Sequence, residues 1–104
     1  MTARERILTA LQHKEPDRIP FDLGSTKVTG IHKVAYQKLR PALGLEEREP
    51  IIYDTNQQMA LVEDDMLKAL EVDTRGLLSK SSSTWKFDTT EDEEYIYYTD
   101  EWGM

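Results

Sequence analysis

The chain has 104 residues, a formal net charge of −7 and no cysteine. Its length allows one small domain, and the lack of cysteine excludes disulfide bridges, thiolate metal sites and cysteine nucleophiles within these residues. The excess of acidic side chains argues against nucleic acid or an anionic membrane as the main partner. Because no segment approaches the roughly 18 apolar residues of a membrane span, the sequence predicts a cytoplasmic protein.

The first predicted element is an amphipathic helix over residues 3–13. Thr2 and Glu5 have the spacing of a capping box, in which each residue satisfies a backbone N–H of the other. Ile7 and Leu11 belong to the apolar stripe that follows.

The helix is followed by Lys-Glu-Pro-Asp-Arg-Ile-Pro-Phe-Asp-Leu-Gly at residues 14–24. Pro16 and Pro20 lack a backbone N–H and favour extended backbone before them, so the helix must stop here. A short strand is predicted at 20–24, and Gly24 closes it. Polar residues just past the carboxyl end of such a strand are where α/β barrels and doubly wound sheets build their sites.

The middle of the chain predicts two more helices and a second strand. Apolar residues four positions apart predict a helix over 30–43, which Pro41 ends or kinks and Gly44 terminates. A continuous apolar face predicts a third helix over 55–71. A brief buried strand is predicted at 75–79.

The last part of the chain predicts a β-hairpin over 84–102. Two β-rich runs flank an acidic turn at residues 89–93. Because side chains alternate along a strand, Tyr95 and Tyr97 should share one face and Tyr98 should take the other. Such rings serve cross-strand packing first, although they also suit stacking on a flat ligand or a partner.

Four segments, together with the capped first helix, carry a family resemblance. They are Glu-Pro-Asp-Arg-Ile-Pro-Phe-Asp-Leu-Gly (15–24), Val-Thr-Gly-Ile-His (28–32), Leu-Glu-Val-Asp (70–73) and Thr-Asp-Glu-Trp-Gly (99–103). In this order they resemble the amino-terminal part of the uroporphyrinogen decarboxylase superfamily, over essentially the whole chain. That superfamily contains decarboxylases of tetrapyrrole synthesis and zinc-dependent, corrinoid-linked methyltransferases that move methyl groups to thiols or pterins.

The resemblance implies a fold. The family has a (β/α)8 TIM barrel, which needs about 250 residues. The expected fold class is therefore α/β, the opening part of a TIM barrel with a β-hairpin near the carboxyl end. Residues 1–104 would form one N-terminal segment of such a barrel.

Differences from the decarboxylases decide which branch is expected. Those enzymes hold substrate carboxylates with an arginine-rich segment after the first strand, whereas Lys27 is the one cation in residues 24–30 of this chain. After the second strand they place an aspartate, and residues 77–80 offer serine and lysine instead. The resemblance thus implies part of a methyltransferase that is inactive alone, with zinc and a protein-bound corrinoid as cofactors of the full-length parent and none within this chain.

Six polar residues are candidates for ligand binding, while no catalytic residue and no metal ligand is assigned. They are Ser25, Thr26, Lys27, His32, Ser79 and Lys80. The first three follow the predicted first strand, where a solvated loop is the plainer alternative. His32 begins the second predicted helix, where capping, packing or contact with solvent is the plainer role.

Two other functions stay open from the sequence. One is a uroporphyrinogen decarboxylase of porphyrin biosynthesis. The other is a small non-enzymatic module that binds a partner through its aromatic hairpin. The expected partners of a full-length methyltransferase are a small-molecule substrate or a corrinoid protein, and a homo-oligomer is compatible with either family function.

Overall fold

Three helices, one 3₁₀ turn and five short strands make up the computed structural model, which describes residues 1–104. In chain order they are α1 (Ala3–Leu11), a 3₁₀ helix (Lys27–Thr29), β1 (Ile31–His32), α2 (Lys33–Ala42), β2 (Ile52–Asp54), β3 (Met59–Ala60), α3 (Asp64–Ala69), β4 (Thr89–Glu91) and β5 (Ile96–Tyr98). The strands form a three-stranded sheet in the order β1-β3-β2 and a separate pair, β4-β5. None of the helices combines the length and the apolar content needed to cross a membrane.

The expectation of an opening TIM barrel is wrong. A barrel begins with parallel strands that alternate with helices, but every strand pair here is antiparallel. The fold is a small mixed α and β domain. The segments predicted as parallel strands, 20–24 and 75–79, form no ladder. Instead, the carboxylate of Asp73 accepts the backbone N–H of Phe21 at 2.9 Å, a donor that a neighbouring strand would otherwise use.

The first helix confirms its sequence signature. Thr2 and Glu5 form both bonds of the capping box, with the Glu5 N–H donating to Thr2 Oγ1 at 3.2 Å. The helix ends two residues earlier than predicted, and His13 turns the chain away with a φ of 57°.

Helix α2 lies inside the predicted 30–43 range but starts later. Residues 31 and 32 are taken by β1, and His32 becomes the cap of the helix. Pro41 lies in the last turn and removes one helix hydrogen bond there, and the helix ends one residue later at Ala42.

The predicted helix over 55–71 is wrong in its first half. The carboxylate of Asp54 accepts the N–H of Asn56 at 3.2 Å, and Gln58 has a φ of 54°. This local turn folds β2 back onto β3, so the apolar residues there serve a sheet. The helix that remains, α3, covers only six residues.

The β4-β5 hairpin confirms the prediction for the end of the chain, with a shifted turn. Residues 89–91, predicted as part of the turn, form β4, and the Asp92 N–H donates to Tyr95 O at 2.9 Å to close the loop. The predicted faces are confirmed. The rings of Tyr95 and Tyr97 lie 6.1 Å apart, while Tyr98 packs on Phe87 at 5.5 Å.

The buried core is small and contains an ionic group. Its apolar members are Tyr36, Ala60, Val62, Met66, Leu67 and Val72. Arg40 is fully buried beside them and donates to Asp65 Oδ2 at 2.6 Å and to Glu46 O at 2.5 Å. The radius of gyration is 17.1 Å, against about 13 Å for a compact chain of this length. Much apolar surface therefore faces solvent.

Candidate functional site

The segments 17–25 and 71–76 lie against each other, and we call this contact the motif junction. Its centre is the carboxylate of Asp73, whose side chain is 2% exposed. That carboxylate accepts from Arg6 Nη1 at 2.5 Å, Arg18 Nη1 at 2.7 Å and the Phe21 N–H at 2.9 Å. Burial alone would raise the pKa of Asp73, but these three donors outweigh it and lower the pKa.

Arg6 brings helix α1 to the motif junction. Its guanidinium grips the carboxylate of Asp17 with two bonds, Nε to Oδ1 at 2.7 Å and Nη2 to Oδ2 at 2.9 Å. The bidentate contact with Arg6 lowers the pKa of Asp17 to about 2. Arg18 adds a bond to the carbonyl of Glu71 at 3.0 Å. Three parts of the chain are thus held by one network of charged groups.

A second carboxylate organises the other end of the motif junction. Asp22 accepts the hydroxyl of Ser25 at 2.7 Å and the hydroxyl of Thr74. Burial raises the pKa of Asp22, and the hydroxyl donors of Thr74 and Ser25 more than offset this, so the pKa is lowered. The Ser25 hydroxyl is therefore held as a hydrogen-bond donor to the carboxylate of Asp22.

Two glycines allow close packing at and beside the motif junction. Gly24 has a φ of 80°, and a Cβ there would lie 2.6 Å from Val62 Cγ2. A Cβ on Gly76 would lie 3.0 Å from the carbonyl oxygen of Ser25. A side chain at Gly76 would push the two segments apart, whereas one at Gly24 would collide with Val62.

A pocket of about 120 Å³ opens beside these glycines. Its lining is formed by Leu23, Gly24, Leu61, Val62, Leu67, Arg75, Gly76 and Leu78. Among the lining residues, Arg75 donates from Nη1 to the carbonyls of Val72 and Thr74 at 3.0 and 2.7 Å. Sites for small-molecule ligands measure about 300–1,000 Å³. This pocket has room for a few non-hydrogen atoms and none for a tetrapyrrole or a corrinoid.

The six candidate residues do not converge on one site. Ser25 lies at the motif junction, and Thr26 caps the 3₁₀ helix by accepting the Thr29 N–H at 3.3 Å. Lys27 is exposed on that helix without an ion pair. His32 accepts the N–H of Val34 on Nδ1 at 3.2 Å, the capping role that was its plainer alternative.

The other two candidates, Ser79 and Lys80, lie in an exposed loop, where their side chains make no hydrogen bond. The polar residues that do meet at the motif junction, Arg6, Arg18 and Asp73, were not selected from the sequence. No local pattern singled out Asp73, because the segment 70–73 contains a second acidic residue, Glu71, which is exposed. Burying the charge of Asp73 requires partners.

The side chains of this chain do not fit a zinc site. No three histidine, aspartate or glutamate side chains come together as a group that could hold a metal ion. Both histidines lie at helix ends, where His32 uses Nδ1 for its cap. Zinc ligands of the kind that the methyltransferase resemblance implies are therefore not assigned to these residues.

Comparisons with known proteins give no relative for this chain. A scan against protein-family models, a search of curated proteins and a search of solved structures each found no match. The observations for a functional proposal are thus the motifs of the sequence and the contacts that the structure places between them.

Proposed function

We propose that this chain contributes the amino-terminal part of a corrinoid-linked methyltransferase related to uroporphyrinogen decarboxylase. One observation carries the proposal. Two segments on which the resemblance rests, 15–24 and 70–73, meet at the motif junction, where Arg18 of the first binds Asp73 of the second at 2.7 Å. Motif residues that act together in a function are expected to be neighbours in space.

The proposed role is positioning and binding. At the motif junction the Ser25 hydroxyl donates a hydrogen bond to Asp22 and makes none to a histidine that could act as its base. Methyl transfer would then depend on groups outside residues 1–104, with the motif junction holding the backbone of residues 23–25 in a fixed position.

Exposed apolar side chains support a role within a larger assembly. Leu11, Ile19 and Leu77 are 71%, 87% and 99% exposed. Isolated exposed apolar residues are ordinary, but this chain leaves 16 large apolar side chains exposed and buries only six apolar residues. A methyltransferase whose other parts pack on this surface accounts for it.

The charges at the motif junction favour methyl transfer over decarboxylation of uroporphyrinogen. A decarboxylase needs free cations for the substrate's carboxylates. Arg6 and Arg18 are instead paired with Asp17 and Asp73. The exposed cations near residues 24–26 are Lys27 and Arg75, and the Arg75 guanidinium donates to the carbonyls of Val72 and Thr74.

The test is an assay of the protein as its gene encodes it, with methylcobalamin as donor and a simple alkyl thiol or a pterin as acceptor. We expect methylcobalamin to be consumed, as measured by the decrease of its absorbance. We expect no release of carbon dioxide from uroporphyrinogen. Residues 1–104 expressed alone should show neither activity. Decarboxylation of uroporphyrinogen, turnover by residues 1–104 alone, or failure with both acceptors would refute the proposal.

A matched pair of variants separates the motif junction from general charge effects. Asp73→Asn removes the negative charge at its centre and should reduce methyl transfer. Glu47→Gln removes one charge at an exposed position without a side-chain hydrogen bond and should not. Equal rates in the two variants would show that the motif junction has no part in the activity.

A further inference from the structure

The β4-β5 hairpin has two free edges. It forms a two-stranded sheet of its own, so each strand is paired along one side only. The hydroxyl of Tyr98 donates to the amide oxygen of Asn56, which fixes the hairpin beside the β2-β3 turn. The outer edges keep unpaired backbone N–H and C=O groups, the template for an added strand.

Aromatic rings cover both faces of the hairpin. On one face Tyr95 and Tyr97 are 56% and 50% exposed. On the other face Phe87 packs against Tyr98 and is 52% exposed. Trp85 extends the second face, with its ring 6.0 Å from that of Phe87. Phe87, Tyr95 and Tyr97 remain about half exposed, while Trp85 and Tyr98 are partly buried, so a partner can contact the exposed rings without unfolding the hairpin.

The hairpin is strongly acidic. Residues 84–102 contain seven acidic side chains and one lysine. Four of the acids, residues 91–94, lie together at the turn and are exposed. A second copy of the hairpin is repelled by this charge, whereas a cationic segment is attracted to it.

We propose that the hairpin binds an extended, lysine- or arginine-bearing segment of a partner protein, which adds as a strand to a free edge. Backbone pairing supplies affinity in this mode, and alternate side chains supply specificity. Cations on one face of the added strand would lie over the tyrosine rings and beside the acidic turn. An open groove of about 530 Å³ along the hairpin, whose lining includes Tyr97, Asp88 and also Lys86, has room for such side chains.

The probe is a fluorescent ten-residue peptide with lysine at every second position and threonine between, titrated with the protein and followed by polarisation. A peptide with glutamate in place of lysine is the charge control. We expect saturable binding of the lysine peptide, weakened by salt, and none of the glutamate peptide. Absence of binding by the lysine peptide at millimolar protein would overturn the proposal.

Two double variants locate the contact. Glu93→Gln/Glu94→Gln and Glu47→Gln/Glu49→Gln each remove two exposed charges whose side chains make no hydrogen bond. Loss of two exposed ion contacts of about 0.5 kcal/mol each corresponds to about fivefold weaker binding for the hairpin pair. The other pair should change affinity by less than about twofold. Equal weakening by the two pairs would mean attraction to net charge and would contradict a hairpin site.

A third variant tests the rings. Tyr97→Leu keeps an apolar strand residue but removes the negative ring face, so binding should weaken about threefold, since one exposed cation–ring contact contributes about 0.5–1 kcal/mol. Unchanged affinity in this variant would remove the rings from the proposal.

Discussion

Arg18 and Asp73 form an ion pair of 2.7 Å between Nη1 and Oδ2, although 55 positions separate them in the chain. The pair is asymmetric, because the arginine side chain is 39% exposed and the aspartate side chain is 2% exposed. Loss of the buried partner should therefore cost more than loss of the exposed one.

Asp73→Ala should lower the free energy of unfolding by about 3 kcal/mol, since it removes the buried acceptor of Arg6 Nη1 and of the Phe21 N–H, while Arg6 keeps its contact with Asp17. Arg18→Ala should cost about 1.5 kcal/mol, because Asp73 keeps two other donors. Urea unfolding followed by circular dichroism measures both. Glu47→Ala, as an exposed control, should stay within about 0.5 kcal/mol, and equal costs for Asp73 and Arg18 would contradict the asymmetry.

The buried Arg40 and the half-exposed Arg48 share the acceptors Glu63 and Asp65. Arg40→Met should destabilise the fold by about 1–3 kcal/mol, because it leaves the carbonyl of Glu46 without its donor, while Glu63 and Asp65 keep their contacts with Arg48. Arg48→Met should cost at most about 1 kcal/mol, because its pairs are screened by solvent. Thermal or urea unfolding measures both losses of stability. A larger loss for Arg48→Met than for Arg40→Met would show that the exposed arginine is the more stabilising of the two.

Gly24 and Gly44 both have positive φ values, 80° and 70°, but only Gly24 is crowded. Gly44→Ala should cost about 1 kcal/mol for the left-handed backbone. Gly24→Ala should cost about 3 kcal/mol, because its Cβ also meets Val62.

The crowding at Gly24 can be tested directly in a double-mutant cycle. Adding Val62→Ala to Gly24→Ala removes the steric clash, so the pair should be less destabilised than the sum of the single variants. Additive losses would assign the whole effect to backbone conformation.

Acid should unfold this protein between about pH 4 and pH 2. Arg6 lowers the pKa of Asp17, and Arg40 lowers that of Asp65, in each case from 3.8 to about 2. Because these pKa values are lower in the folded state than in the unfolded state, their stabilisation is present above about pH 4 and is lost as the pH falls.

Tryptophan fluorescence or circular dichroism against pH measures this acid midpoint. Asp65→Asn should lower stability at neutral pH and flatten the pH dependence below 4, because one of the titrating groups is gone. Glu47→Gln should leave the curve unchanged. A curve that is unaffected by Asp65→Asn would remove that carboxylate from the acid transition.

Local signals in the sequence predicted the parts of the fold that local interactions form. The capping box of Thr2 and Glu5 identified α1, and the alternation around Tyr97 identified the hairpin and its faces. The helix over 55–71 failed because its apolar spacing also suits a sheet, and the turn at Asp54 decided between them. Over so few residues, the spacing of apolar side chains does not distinguish a helix from a strand.

The arrangement at the motif junction depends on contacts between distant segments, which no local pattern encodes. Asp73 has its partners at positions 6, 18 and 21, and each of these residues alone is compatible with an exposed surface. The segments 15–24 and 70–73 do lie against each other, but they are joined by side-chain hydrogen bonds and by one backbone hydrogen bond, from the Asp73 N–H to Phe21 O at 2.8 Å, and the strands predicted at 20–24 and 75–79 do not form.

The contact of Gly76 with the backbone of Ser25 has a consequence for proteolysis. A protease must draw several residues of extended backbone into its active site, and closely packed backbones at residues 24–25 and 76 prevent this at the neighbouring Arg75. Lys80, in the exposed loop four residues later, has no such protection. Trypsin should therefore cut first after Lys80, which separates the acidic hairpin from a body still fastened by Arg6, Arg18 and Asp73.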